Sequence, residues 1–342
     1  MARSVLRAIR VLLGTGRAQP QEPDRAALEA AANLQLVPST LEPVDLVNPR
    51  WASSNAPRPR RRCTGDADPP GFHADGQPRA NAPQCVMTRP HPFLDHPRPI
   101  AIAHRGGSLE GEENTLPNFA RAVAMGYTHL ETDVHATRDG HVVIHHDPTL
   151  ARMTGDPRAI ADLTRDELRA LRTPGGAGIP LLSELLETHP DTFVNIEAKS
   201  DAVVEPLAAL LTRMNALDRI ATGSFNPNRT RRLSRLLGPG LCYSPAHAGV
   251  LAIWLRGWGL PVPHGAFRVL QVPMRFRGIP VVTPRFLRAA HARDLQVQVW
   301  TVDDEDAMHE LLDMGVDGLM TDRPALLKSV LQTRRQWRGR DA

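Results

Sequence analysis

From Ile100 onward the chain alternates short apolar strands with amphipathic helical stretches, and that alternation admits few folds. The strand candidates are "IAIAH", "YTHLETDV", "HVVIHH", "FVNIEAK", "RIATGSF", "GLCYS", "RVLQVP", "QVQVWTV" and "DGLMTD". Helical patterns lie between many of them, among them "LPNFARAVAMG", "VVEPLAALLTRM", "PNRTRRLSRLLG", "PRFLRAAHARD" and "DEDAMHELLDMG". Alternation over roughly 240 residues predicts a parallel sheet, and this length suits an α/β fold of the (β/α)8 TIM-barrel kind. A doubly wound sheet is the alternative, but no Gly-rich βα turn of the GxGxxG or GxxxxGK[ST] type is present. Nine strands compete for eight places. "HVVIHH" follows "ETDV" too closely for an intervening helix, so one of this pair is expected at the barrel mouth.

The sequence before the barrel has a different character. Residues 1–98 form an N-terminal extension rich in Pro, Gly, Arg, Asp and Asn, with no apolar period. Such a segment cannot bury enough surface to offset its ordering entropy and is expected to be mostly disordered. "DRAALEAAANLQLV" is the one short helix expected within it, and His73 is expected to be solvated. The barrel domain is expected over 99–333, followed by a basic tail over 334–342. Met87 stands just before compositional order begins and offers an alternative start.

Composition is that of a soluble globular protein, with 42% apolar and 23% charged residues. Net charge is +4, and the excess is read as lying mainly in the tails. No basic face interleaved with aromatics stands out, so nucleic acid is not an expected partner. Cys63, Cys85 and Cys242 match neither a zinc site nor a disulfide framework, and are read as free thiols of a reducing, cytoplasmic protein. No apolar run reaches the ~18 residues needed to span a bilayer. The start "MARSVLRAIRVLLGTG" is too interrupted by Arg7 and Arg10 for a signal peptide, but could lie as a basic amphipathic helix on a membrane surface. Nothing in the sequence fixes an oligomeric state.

"ETDVHATRDGHVVIHHD" raises the question of function. A strand alternates its faces, so Glu131 and Asp133 share one, and buried carboxylates are costly unless paired. In "FVNIEAK", Asn195, Glu197 and Lys199 share a face; in "QVQVWTV", Gln298 and Trp300 do. Polar residues gather at the C-terminal ends of strands, where barrel enzymes keep their active sites. Glu131, Asp133 and Glu197 would together make an all-oxygen site suited to one divalent cation, Mg²⁺ or Ca²⁺. The competing reading is a buried ionic network with Arg105 and Lys199. His104 and His146 suit proton transfer near neutral pH. Arg105 and Lys199 suit the non-bridging oxygens of a phosphate. No Ser, Cys or Thr is clearly set as a nucleophile.

These residues carry a resemblance. "AHRGG", "EENTLPNF", "ETDVHATRDGHVVIHHD", "NIEAK", "GSF", "VWTVDD" and "GVDGLMTDRP" come in the order found in the glycerophosphodiester phosphodiesterase family. The chain resembles that family over nearly all of 100–331. The resemblance implies a TIM barrel, catalytic histidines at His104 and His146, and metal-binding acids at Glu131, Asp133 and Glu197. It further implies phosphate-binding cations at Arg105 and Lys199, with Glu113 and Trp300 lining the substrate. Two features depart from the family pattern: Glu112 stands where Pro usually precedes "ENT", and the segment 148–190 after the second histidine is short.

The activity implied is metal-dependent hydrolysis of a glycerophosphodiester to sn-glycerol 3-phosphate and an alcohol, with His104 as base and His146 as acid. Lysophospholipase D action on a lysolipid is the enzymatic alternative. A barrel that has lost catalysis and acts as a binding protein is the alternative from another class. In "HAGVLAIWLRGWGLPVP", Trp254 and Trp258 are four apart. They are expected to pack as part of a barrel helix, the sharper alternative being an apolar lip that meets an acyl chain or a membrane.

Overall fold

The computed structural model describes residues 91–340. The expectations for Cys63, Cys85, His73, the basic start and the early helix lie outside the described residues. Eleven strands are found: β1 (Ile100–Ala103), β2 (His129–Ala136), β3 (Val142–Ile144), β4 (Phe193–Ala198), β5 (Ile220–Gly223), β6 (Cys242–Tyr243), β7 (Val269–Pro273), β8 (Arg275–Phe276), β9 (Ile279–Pro280), β10 (Gln296–Trp300) and β11 (Gly318–Thr321). Eight of them pair in parallel in the order β6-β5-β4-β2-β1-β11-β10-β7, a nearly closed barrel. β3 pairs antiparallel with the upper half of β2 and lies off this path, which resolves the ninth strand. β8 and β9 form a separate hairpin directly after β7.

Ten α-helices accompany the described strands: α1 (Leu116–Ala124), α2 (Ala151–Thr154), α3 (Arg165–Arg169), α4 (Leu182–Thr188), α5 (Val204–Arg213), α6 (Pro227–Leu237), α7 (His247–Gly257), α8 (Pro284–His291), α9 (Glu305–Met314) and α10 (Pro324–Thr333). Several start by one device. Thr115, Asn226 and Thr283 each accept a backbone N–H of the first turn, and a proline fills one of the first two helical positions. The cap satisfies a donor that the helix cannot, and proline gives up a donor that had no partner there. Asp304 caps α9 in the same way, without the proline.

Register places the polar residues. Glu131 lies opposite Asn195, and Asp133 opposite Glu197, so all four face inward. Leu130, Val134, Val194 and Ile196 point outward into the helix layer and are fully buried there.

Residues 91–98, assigned by composition to the extension, belong to the barrel. Phe93 is fully buried and packs with Leu94, Ala221, Cys242 and Val269. The His129 ring lies 4.8 Å from Phe193, nearly parallel to it, and 5.0 Å edge-on from Phe93. Its Nε2 is 3.0 Å from the Phe93 carbonyl. Arg98 pairs with buried Asp317, which also meets His291 Nε2 and the Val297 N–H. Two apolar residues among prolines and histidines carry no period, which is why composition placed the boundary too late. The tail is likewise shorter than expected. Trp337 packs edge-on at 5.2 Å against Tyr127, and Arg340 N donates to the Gly126 carbonyl at 2.8 Å.

Burial pushes the His129 imidazole down to about 3. In the unfolded chain it takes up a proton near its ordinary value, whereas the folded protein refuses one until far lower pH. The stabilisation is therefore complete at neutral pH and drains away as pH falls below about 6.5. In urea unfolding, the loss from pH 7 to pH 5 should be about 2 kcal/mol smaller in His129→Phe, which keeps the aromatic stack. Equal losses in both proteins would mean that His129 is not the titrating group.

Candidate active site at the barrel mouth

The mouth is assembled from the turns that follow the strands. After β1 the chain turns at once: Arg105 has φ 51°, Gly106 φ 81° and Gly107 φ 102°. Glycine is required at 107, because a Cβ there would come within 2.5 Å of Pro324. Asn118 of α1 holds the turn by donating to the carbonyls of Arg105 and Gly107. This fixes His104 and Arg105 over the inward carboxylates of β2.

Asp133 is the most heavily engaged of these carboxylates. Its Oδ2 meets Arg105 Nε at 2.9 Å and Asn114 Nδ2 at 3.0 Å. Its Oδ1 lies 3.0 Å from Lys199 Nζ, outside hydrogen-bonding geometry, and accepts no hydrogen bond. Lys199 also reaches Glu197 Oε2 at 2.9 Å. Burial would raise Asp133, but Lys199 and Arg105 overcome it and hold the carboxyl well below its usual range. Glu131 behaves oppositely: burial and the charge of Asp133 push it up to about 8. Burial also raises Glu197, against the pull of Lys199.

Arg105 and Lys199 thus make the ion pairs that the network reading requires, and among the described residues no three side chains are gathered closely enough to ligate a metal. Yet the pairs do not balance the acids. Glu131 is driven toward its neutral form at physiological pH, and Asp133 Oδ1 meets Lys199 only as an ion pair, without hydrogen-bonding geometry. A further positive charge at the mouth would relieve both, and the donors are all oxygens, so the residues fit a hard divalent cation.

Each histidine has an aspartate on Nδ1. His104 Nδ1 lies 2.8 Å from Asp322 Oδ1, and His104 Nε2 is 3.6 Å from Glu131 Oε2. Burial alone would lower His104, but Glu131 and Asp322 raise it to about 9. His146 Nδ1 lies 2.7 Å from Asp147 Oδ1. Arg152, on α2, clamps this second pair by binding Asp147 Oδ2 at 2.7 Å and Glu113 Oε1 at 2.6 Å. Glu113 also approaches Arg105 at 3.5 Å, joining the two histidine environments through one line of charges. Trp300, at the end of β10, meets Phe225 edge-on at 5.6 Å.

Of the nine residues singled out by sequence, Glu131, Asp133 and Glu197 lie within β2 and β4, Trp300 ends β10, His104, Arg105, His146 and Lys199 lie just beyond β1, β3 and β4, and Glu113 lies in the loop before α1. Asp322, Asp147, Arg152 and Asn114 were missed. Asp322 follows β11 directly and Asp147 stands three residues beyond β3, and that position was the available signal. Glu112, noted only as a departure, has a use. Its carboxylate accepts Thr173 Oγ1 and Gly175 N, each at 2.6 Å, and ties down the turn between Arg172 and Gly178. The short segment after the second histidine also has its own core of Val143, Leu150, Ile160, Leu163, Leu168 and Leu181.

An imidazole pair beside two fixed cations, on the C-terminal face of a parallel barrel, suits cleavage of a phosphate ester; the class is a barrel phosphodiesterase. Comparison with known proteins agrees. Residues 104–326 match the model of the glycerophosphoryl diester phosphodiesterase family. The Mycobacterium tuberculosis protein "Probable glycerophosphodiester phosphodiesterase 2" is 42% identical over 254 residues, covering 72% of this chain and 96% of its own. Human lysophospholipase D GDPD1 is 28% identical, covering 67% of this chain and 85% of its own. Among solved structures, a glycerophosphodiester phosphodiesterase of Parabacteroides distasonis superposes with a TM-score of 0.57 at 27% identity, covering 69% of this chain and 98% of its own. An Oleispira antarctica phosphodiesterase, solved with the product sn-glycerol-3-phosphate, has a TM-score of 0.57 at 24% identity, covering 68% and 97%. The chain belongs to the glycerophosphoryl diester phosphodiesterase family.

Asp322→Asn keeps the shape beside His104 and removes a charge. The titration of His104, followed by proton NMR, should move down toward the ordinary histidine value. An unmoved titration would leave Glu131 as the sole cause of the elevation.

Proposed function

We propose that the enzyme hydrolyses glycerophosphodiesters to sn-glycerol 3-phosphate and an alcohol, using His104 and His146 as the acid–base pair. The observation that carries this is the pairing of each imidazole, through Nδ1, with its own aspartate. An aspartate on Nδ1 fixes the ring's orientation and turns Nε2 the opposite way, toward a reacting oxygen. One imidazole takes the proton of the attacking hydroxyl, either water or the substrate's own glycerol 2-hydroxyl, and the other gives a proton to the departing alkoxide. Glu131 and Asp322 favour the protonated form of His104. Arg105 and Lys199 hold the non-bridging oxygens, and Glu113 and Trp300 line the glycerol and the leaving group. Glu131, Asp133 and Glu197 would hold one divalent cation, Mg²⁺ or Ca²⁺, whose charge neutralises the phosphate oxygens. The sn-glycerol-3-phosphate bound to the Oleispira neighbour supports this choice of product.

A lysophospholipid is the second substrate reading. It is favoured by Phe225, 41% exposed beside Trp300, and by the kinship with lysophospholipase D GDPD1. Among the described residues no helix is long and apolar enough to cross a membrane. From the reading of the cysteines as free thiols, we propose that the enzyme works in the cytoplasm on small diesters.

His104→Ala and His146→Ala should each lower kcat on glycerophosphocholine by ~10²–10⁴. Near-normal turnover in either variant would remove that histidine from the mechanism. Dialysis against a chelator should abolish turnover, and Mg²⁺ or Ca²⁺ should restore it, with the released sn-glycerol 3-phosphate measured by a coupled assay. Full activity in metal-free protein would favour the ionic-network reading of the three acids.

A further inference from the structure

The mild net charge conceals a strong asymmetry within the barrel. Between Asp218 and Asp294 lie 75 residues that include twelve arginines and no Asp, Glu or Lys. They build β5 through α8, a continuous sector with α6, α7 and α8. The reading that excess positive charge sits mainly in the tails holds for the total but not for this sector. Arg229 and Arg232 reach out of the sector to Asp201 and Glu205. Arg268, Arg275, Arg277, Arg285 and Arg288 are exposed.

Two of these arginines, Arg285 and Arg288, border apolar surface. α7 ends against the first turn of α8, where a Cβ on Gly257 would come within 3.0 Å of the Arg285 carbonyl. Trp254, Trp258, Thr283, Pro284, Arg285 and Arg288 line a groove of about 330 Å³ there. Trp254 is buried as a helix residue should be, but Trp258 lies just past the helix and is 37% exposed. The Arg285 guanidinium covers one face of the Trp258 ring at 4.5 Å. Leu260 is 42% exposed, and the next residues, Pro261, Val262 and Pro263, offer no hydrogen-bonding side chain.

This surface is connected to the mouth. Trp254 Nε1 donates to the Pro280 carbonyl of the β8–β9 hairpin, which carries Arg275 and Arg277. Phe276 of the hairpin contacts His247 at 5.1 Å between ring centroids, and His247 contacts Phe225, the neighbour of Trp300.

We propose that the α7–α8 face and its hairpin dock the enzyme on a bilayer containing anionic lipid. Arginines without local carboxylates attract lipid phosphates, while Trp258 and Leu260 enter the interfacial layer, where tryptophan is favoured. Nucleic acid fits less well. Arg285 occupies a ring face on which a base would stack, and the Leu260–Pro263 stretch has nothing with which to read one. The proposal does not depend on which diester is hydrolysed.

The test is co-sedimentation of the full chain with phosphatidylcholine vesicles, with and without roughly 30% phosphatidylglycerol, at low and high salt. Binding should require phosphatidylglycerol and fall at high salt. Arg285→Gln combined with Arg288→Gln should weaken it about 25-fold, and Trp258→Ala about tenfold. Hydrolysis of soluble glycerophosphocholine by these variants should match the parent, which also reports on folding. Three outcomes overturn the proposal: no preference for anionic vesicles, undiminished binding in the variants (which would assign docking to residues 1–90), or equal, equally variant-sensitive binding to duplex DNA. A parent enzyme inactive on soluble diesters would defeat the functional reading and leave the vesicle result standing.

Discussion

Asp133 is the group on which the mouth depends. It is almost completely buried, on the inward face of β2, and three elements reach it: the turn after β1 through Arg105, the loop before α1 through Asn114, and the end of β4 through Lys199. Removing that carboxylate would leave Lys199 with Glu197 alone and Arg105 with Glu113 alone, so the loss should fall below the about 3–5 kcal/mol of a buried pair broken outright. The same contacts set the positions of both proposed phosphate-binding cations. Stability and the geometry of phosphate recognition rest here on one side chain.

Two residues away on the same strand, Glu131 has the opposite character. The cations that hold Asp133 ionised do not do so for Glu131, whose proton affinity is raised by burial and then by its neighbour's charge. Carboxylates on one face with affinities driven apart are a usual mark of sites that handle charge. The two histidines divide similarly. His104 is enclosed between Glu131 and Asp322, whereas His146 sits at a more open edge with Asp147 and Arg152. A closed imidazole and an open one suit two different proton transfers.

Much of this was legible in the sequence because strand alternation is strict. Once Glu131 and Asp133 are assigned to a strand, their common face follows, and the register of β4 brings Glu197 beside Asp133. Pairings fixed by loops were not legible. Asp322 comes from the last strand and meets a histidine of the first, 218 positions earlier. Arg152 can bridge Asp147 and Glu113 only because the short segment after β3 folds on a small core of its own. The plug formed by Phe93 escaped notice because two apolar residues without a period leave no pattern, although the barrel floor needs no more than that.

β6 and β7 are not laddered together, and the apolar packing divides along the same lines. One cluster gathers residues from β1, β2, β4, β5, α1, α4 and α5; the other gathers residues from β7, β10, α7, α8, α9 and α10. His104, Arg105, Glu131, Asp133, His146, Glu197 and Lys199 all come from the first part, while Trp300, the hairpin and the arginine-rich face come from the second. Asp322 is the group from the second part that meets His104. The barrel is thus divided at its seam: one half carries the residues proposed to handle phosphate, the other carries Trp300 and the arginine-rich face. Exchange of the second half between relatives, with Asp322 retained, is a route by which new substrates could be acquired without rebuilding the chemistry.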